Sequence, residues 1–186
     1  VLSYTLGALP FSLWIARAKG IDIQSVGSGN PGATNVARSA GLPWGILALI
    51  FDIGKGVAAG WVTSSLQAPL WLSGFAVLGH NWSIFLKFHG GKGVATTLGV
   101  LGYISWMGAA WTMGVWAIFV AFTRKVSVGS LIALLISPVI LFLLNEDMTI
   151  VALFGVLAVI SVIRHRKNIQ RLLQGEELSP RESKKE

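Results

Sequence analysis

Between Val126 and Leu144 the chain carries no charged residue, and the pattern recurs along its length: apolar runs separated by short polar segments. Runs of roughly 16–20 apolar residues are what helices crossing a bilayer require. In lipid each backbone N–H and C=O must find its partner within its own segment, so such a chain is restricted to an all-α polytopic integral membrane protein. The composition agrees, at 53% hydrophobic and 12% charged residues.

The runs predict spans over Val1–Ala16, Trp44 to about Leu66, Leu70 to about Leu86, Val126–Leu144 and Met148–Ile163. Val94–Thr123 is too long for one span and too short for two of about 20 residues each. Gly102–Gly108 is the expected break, giving two short helices. The total is about six to seven transmembrane or half-membrane helices, with a kink at Pro138. The first run is short and opens on Val1 where a Met would be expected, which predicts that a few residues precede it. No basic segment precedes it, so no cleavable signal peptide is expected. The reading is one transmembrane domain over 1–175 and a polar, disordered cytoplasmic tail over 176–186.

Orientation follows from the basic residues. With the N-terminus outside, every Lys and Arg except Lys55 faces the cytoplasm, provided that Val94–Thr123 enters and returns as a hairpin. The formal charge of +7 is then explained by this bias and by anionic headgroups, with no nucleic acid as partner. The chain has no cysteine, which excludes disulfides and thiolate nucleophiles. With His80, His89 and His165 the only histidines and no acidic cluster, neither a metal nor another cofactor is expected.

This topology brings three polar stretches to the same side. Ser25–Asn35 holds Gly27, Ser28, Gly29, Asn30, Pro31, Gly32, Thr34 and Asn35. Such a segment must face water or a polar cavity, and its glycines permit close backbone approach. Asn30 before Pro31 predicts an N-cap and first helical residue, with free N–H groups forming an oxyanion cradle. Gly27, Gly29 and Gly32 also satisfy G-x-G-x-x-G, but an apolar helix follows instead of a soluble βαβ unit, so a dinucleotide site is rejected.

The second stretch runs from Gly79-His80 through Lys87 to Gly90-Gly91-Lys92-Gly93 and Thr96, where a new helix is expected. Its amides, its helix dipole and Lys92 suit a phosphate. Leu86 and Gly93 stand where a Walker A loop needs Gly and Ser/Thr, so it is not one. The third stretch, Arg164 to Glu177, reads as a short amphipathic interfacial helix, with His165 and Asn168 at i, i+3 on one face. Asp52 and Lys55, also at i, i+3, read as a structural pair within a span. Together with Arg38, these features describe a substrate with one or two phosphates and an apolar tail, and chemistry that depends on charge stabilisation more than on a strong base.

In this order, between apolar spans, the three stretches resemble the motifs of the bacterial membrane acyl-phosphate:glycerol-3-phosphate acyltransferase (PlsY-type) family. The resemblance covers essentially the whole chain. Ser83 and His89 depart from it, standing where the family has proline and lysine, and Lys87 offers a replacement charge. The resemblance implies transfer of a fatty acyl group from acyl phosphate to the 1-hydroxyl of glycerol 3-phosphate. The products would be lysophosphatidate and phosphate, the first step of phospholipid synthesis. It implies a bacterial cytoplasmic (inner) membrane, an active site and C-terminus on the cytoplasmic side, and membrane lipid around the chain. It also leaves room for a soluble acyl-phosphate-producing enzyme as partner.

Residue by residue, the resemblance points to Ser28, Arg38, Lys92, His165 and Asn168 as catalytic. It points to Gly27, Gly29, Asn30, Gly32, Thr34, Asn35, His80, Lys87, Gly90, Gly91, Gly93, Thr96 and Glu177 as substrate-binding. The H-x-x-x-x-D pattern of soluble-type glycerol phosphate acyltransferases is absent, because Phe85, Val94 and Gln170 occupy its Asp position after the three histidines. Two other readings compete. A transporter of a phosphorylated metabolite would place polar groups at both faces and carry inverted repeats. A metal-dependent phosphoalcohol transferase would need clustered aspartates.

Overall fold

The computed structural model describes residues 1–179, which form ten α-helices and no strand. In chain order they are α1 (Leu2–Ala8), α2 (Phe11–Arg17), α3 (Ala33–Ala40), α4 (Leu42–Ser65) and α5 (Phe75–Asn81). They continue as α6 (Val94–Ile104), α7 (Trp106–Thr123), α8 (Val126–Leu143), α9 (Met148–Arg164) and α10 (Arg166–Leu173). Of these, α4, α7 and α8 are each long and apolar enough to cross a membrane, and α10 leaves α9 at an angle of 57°. Large apolar side chains stand exposed along their outer faces, among them Ile50 and Trp61 on α4, Trp111 and Phe122 on α7, and Val139 and Phe142 on α8. An apolar outer surface of this extent requires lipid around it.

Two of the predicted spans are broken. The run Val1–Ala16 is two short helices, α1 and α2, separated at Leu9-Pro10, because Pro10 has no N–H to continue the ladder. The run Leu70–Leu86 is a 3₁₀ turn (Leu70–Gly74), α5, and a second 3₁₀ turn (Ile84–Leu86). Its polar residues Ser73, His80, Asn81 and Ser83 are all buried against protein, with Ser83 Oγ donating to the Ala8 carbonyl at 2.5 Å. Trp71, Phe75, Ile84 and Phe85 of the same segment are exposed, so one side of it packs against protein and the other does not, and hydropathy alone does not separate such a segment from a regular span.

The break in Val94–Thr123 falls at Ser105, inside the expected window, and the Ser105 hydroxyl caps α7 by accepting from Gly108 N at 3.2 Å. Only α6 is short, however; α7 has 18 residues. Close packing of α4 on α6 depends on glycine. A Cβ on Gly56 would collide with the Thr96 carbonyl oxygen, and one on Gly99 with that of Ile53. One apolar core gathers Val77, Leu101, Leu141, Phe154 and Leu157, and a smaller one gathers Leu13, Ile23, Val36 and Ala48 around α3.

One end of the bundle collects the loops. Gln24 reaches the His89 carbonyl, Arg38 the carbonyls of Leu178 and Ser179, Lys125 that of Glu177, and Arg164 those of Gly90 and Gly91. The acidic turn Glu146-Asp147 lies between α8 and α9, at the far end of α8 from Lys125. Residues 180–186, most of the tail expected to be disordered, lie outside the described residues.

Candidate active site

A cavity of about 280 Å³ lies beneath this end. Its polar wall is built by Ser28, Asn30, Gly32, Thr34, Asn35, Arg38, Lys92, Gly93, His165, Asn168 and Glu177, and also by Asp52 and His80. Its apolar wall comes from Leu49 of α4, Leu98 of α6, Met113 and Trp116 of α7, and Ala133 and Leu134 of α8. Leu49 and Met113 are also exposed on the outer surface, so the apolar arm reaches the lipid-facing side of the bundle.

The glycine-rich loop before α3 is organised from within. Asn35 is fully buried; its Oδ1 accepts from Ser28 N at 3.0 Å, and its Nδ2 donates to the carbonyls of Ile23 and Val26. A Cβ on Gly27, at φ +59°, would strike that Asn35 side chain. Gly27 and Gly29 therefore shape the loop and do not line the cavity. Asn30 and Pro31 do not open the helix: Gly32 is the N-cap, α3 starts at Ala33, and Gly32 N bonds the Asn30 carbonyl. The cradle that remains is the first turn of α3, where Ala33 and Thr34 border the cavity with amides that have no intrahelical partner.

The second stretch supplies Lys92 at the start of α6, whose N-cap Gly93 is left-handed (φ +79°). Burial, opposed by Glu177 and reinforced by Arg171, Arg38 and Arg164, pushes Lys92 down to about 8. The Gly90-Gly91 turn is held from one side by Arg164, whose guanidinium donates to both carbonyls at 2.7–3.0 Å and lies 5.3 Å from the Trp82 ring centroid. Gly91 N donates to the His80 carbonyl at 3.1 Å. Gly90, Gly91 and Thr96 are buried but do not line the cavity, and Lys87 is exposed away from it. His89 is exposed too, its Nδ1 hydrogen-bonded to the Lys87 carbonyl at 2.7 Å. The two departures from the family pattern, Ser83 and His89, are therefore not on the cavity wall.

His165 and Asn168 both line the cavity. His165 is the corner at which α9 ends and α10 begins, and Asn168 N donates back to its carbonyl at 2.8 Å. His165 Nδ1 donates to the Ser161 carbonyl at 2.8 Å. Burial and the Lys92 ammonium hold this ring down to about 4, so it is neutral at physiological pH and keeps its lone pair on Nε2. Asn168 Nδ2 donates to Glu177 Oε1 at 2.5 Å, and Arg171 Nε pairs with Oε2 at 2.8 Å. Burial alone would raise the Glu177 carboxyl, but its interactions with Ser127, Arg171 and Asn168 outweigh burial and hold it below the usual carboxylate range. Glu177 thus belongs to the folded site, beyond the boundary that composition suggests.

Three features of the cavity were not legible as site residues. Asp52 lines it while paired with Lys55 at 2.9 Å, and His80 joins that pair. Thr112, Ser127 and Ser130 give the apolar wall a few hydroxyls, and Arg164 is the clamp on Gly90-Gly91. Thr112, Ser127 and Ser130, single hydroxyls inside apolar runs, carry no pattern that marks them.

A lipid-facing helical bundle with a polar, cationic cavity that runs out into an apolar arm defines an integral membrane enzyme for amphiphilic substrates. The family model described as glycerol-3-phosphate acyltransferase matches residues 1–175. A glycerol-3-phosphate acyltransferase of Thermosipho melanesiensis is 45% identical, with 95% of this chain and 88% of that protein covered. Glycerol-3-phosphate acyltransferase 2 of Thermotoga maritima is 44% identical, over 95% and 92%. The crystal structure of PlsY (YgiH), an integral membrane glycerol 3-phosphate acyltransferase in its glycerol 3-phosphate form, superposes with a TM-score of 0.89 at 37% identity, covering 96% of this chain and 92% of that one. Its lysophosphatidic acid form superposes at 0.86. The chain belongs to the glycerol-3-phosphate acyltransferase family and is an acyltransferase.

Proposed function

We propose that the protein moves a fatty acyl group from an acyl phosphate to the 1-hydroxyl of glycerol 3-phosphate, releasing lysophosphatidate and inorganic phosphate. The observation that carries this reading is the shape of that cavity. A cationic end with Arg38 and Lys92 suits phosphate groups, and an apolar arm reaching the outer surface at Leu49 and Met113 suits a fatty chain lying in the bilayer. The relatives' names supply the acceptor, and the two PlsY forms were solved with the ligands that acceptor and product would be.

The chemistry fits the residues. An acyl phosphate is a mixed anhydride with a good leaving group, so the attacking hydroxyl needs orientation more than deprotonation in advance. The 1-oxygen attacks the acyl carbon, the carbon–oxygen bond to phosphate breaks, and the hydroxyl proton leaves to a substrate phosphate oxygen. Ser28, the Nε2 lone pair of His165, and Asn168 orient the hydroxyl. Arg38 and Lys92 offset the phosphate charge as it develops. No acyl-enzyme is required. The first-turn amides of α3 and α6 add partial positive charge at the same end. Thr34, Asn30 and Gly93 complete the polar wall.

The same reading places the loops, the cavity mouth and the C-terminus at the cytoplasmic face of a bacterial inner membrane, since Arg17, Lys19, Lys87, Arg124, Lys125 and Arg166 lie in the segments joined at that end. A donor panel tests it. With glycerol 3-phosphate as acceptor in lipid nanodiscs, acyl phosphate should support transfer, and acyl-CoA and acyl carrier protein should not. Equal use of acyl-CoA would overturn the donor assignment.

A further inference from the structure

The Asp52–Lys55–His80 cluster is buried under the cavity and has no part in the transfer steps above. It is held together by an ion pair and hydrogen bonds and tied to the backbone of Leu9 and the side chain of Ser12. Lys55 Nζ lies 2.9 Å from Asp52 Oδ1, 2.6 Å from His80 Nδ1 and 3.3 Å from the Leu9 carbonyl oxygen. The contact with Asp52 Oδ1 is an ion pair; an ammonium has no lone pair, so the hydrogen bonds to His80 Nδ1 and the Leu9 carbonyl are donations from Lys55. The other Asp52 oxygen, Oδ2, accepts from Ser12 Oγ at 3.0 Å.

One consequence is a fixed tautomer. His80 Nδ1 accepts from Lys55, so the neutral ring carries its proton on Nε2. Asp52 lies 3.6 Å from Nδ1, too far to take a proton from it in a hydrogen bond. Among the described residues no hydrogen bond reaches Nε2. The Nε2 edge lies against Gly91, where any Cβ would collide with it, and the ring borders the cavity that Lys92 also lines. A largely buried N–H left without a protein partner is costly. So is burying a charged pair where apolar residues would pack.

The geometry points to Lys55 and Asp52 as positioning residues of the acyltransferase: they lock His80 in the Nε2–H tautomer, so that this bond donates to a phosphate oxygen of the acceptor held by Lys92. The identity of that acceptor rests on the reading above; the tautomer does not. Asp52 holds the Lys55 ammonium in place, Lys55 sets the ring, and Gly91 lets the ring edge approach the loop. Lys92 and the His80 N–H then address one anion bound in the cavity that both line.

The test uses full-length protein labelled with [15N]histidine in lipid nanodiscs, read by long-range 1H–15N correlation. Three histidines are present, and the His80 signal is the one lost in His80→Gln. Without substrate, His80 should show the Nε2–H tautomer, and glycerol 3-phosphate should shift its Nε2 signal. In Lys55→Met and Asp52→Asn the tautomer should change or mix. The kcat/KM for glycerol 3-phosphate should fall by about tenfold or more, mainly through KM, the usual scale for losing a hydrogen bond to a charged group. An Nδ1–H tautomer or an imidazolium in the wild type would overturn the inference, and that measurement needs no variant to fold. Folded Lys55→Met with unchanged tautomer and kinetics would overturn it as well. The expected tautomers without any acyl transfer would count against the reaction and leave the network standing.

Discussion

His80 and His165 present opposite faces of imidazole chemistry to the same cavity. His80 accepts at Nδ1 from the Lys55 ammonium, 2.6 Å away, which leaves a donor at Nε2. His165 donates from Nδ1 to the Ser161 carbonyl, 2.8 Å away, which leaves an acceptor at Nε2. One ring is thereby suited to an anionic oxygen and the other to a hydroxyl hydrogen, the two groups that a phosphorylated alcohol carries. Each tautomer is set by a partner behind the ring, outside the reacting space.

Arg164 joins the two halves of the site. It precedes His165 in the chain and holds the carbonyls of Gly90 and Gly91 next to Lys92. Arg164→Ala should lower kcat/KM by about tenfold or more. Arg164→Lys should recover little, because a lysine lacks the planar fork that reaches two carbonyls at once. Kinetics in nanodiscs, with melting curves to confirm folding, check this.

Lys92 gives the reaction a basic limit. Burial holds its ammonium at about 8, so it is charged below that pH and loses its proton above it. Above about pH 7, where the acceptor phosphate is already dianionic, the KM for glycerol 3-phosphate should climb as pH rises through about 8. Bound phosphate favours the ammonium, so binding above pH 8 should take up a proton, measurable by calorimetry in buffers of different ionisation enthalpy. In Lys92→Arg the climb should disappear from this range.

Glu177 makes the tail part of the enzyme. It orients Asn168 and Arg171, and its carbonyl is held by Lys125. Truncation after Gly175 should abolish most activity, whereas truncation after Ser179 should retain it. Glu177→Gln should cost less than Glu177→Ala, because an amide oxygen still accepts from Asn168. Activity of purified truncated proteins decides.

The α4–α6 contact is set by backbone approach. Gly56→Ala or Gly99→Ala places a methyl group against a carbonyl oxygen of the opposite helix. Each should destabilise the protein by about 1–3 kcal/mol, the range for overpacking a tight contact. Gly54→Ala, which meets nothing within 4 Å, should be close to neutral. Thermal unfolding in detergent compares the three.

Much of this was legible in the sequence because lipid is a demanding solvent. Apolar runs point to a helical membrane protein, the excess length of Val94–Thr123 points to a break within Gly102–Gly108, which falls at Ser105, and three polar stretches between the runs all contribute to the cavity. What hydropathy could not give is which apolar segments meet lipid and which meet protein, so α1, α2 and α5 were read as parts of full spans. It could not divide the polar residues either. Gly27, Gly29, Gly90 and Gly91 shape loops behind the wall, whereas Asp52, which with Lys55 reads as a structural pair within a span, stands on it. That division depends on tertiary packing of segments distant in sequence, such as the Arg164 clamp and the Glu177 contacts.

The most direct measurement is acyl transfer by purified protein in lipid nanodiscs, with acyl phosphate and glycerol 3-phosphate as sole substrates and both products followed together. The account predicts lysophosphatidate and inorganic phosphate in equal amounts. It also predicts that both are lost in Ser28→Ala and Lys92→Ala while those variants melt as the wild type does. Phosphate release without lysophosphatidate, or near-full transfer by either variant, would contradict it.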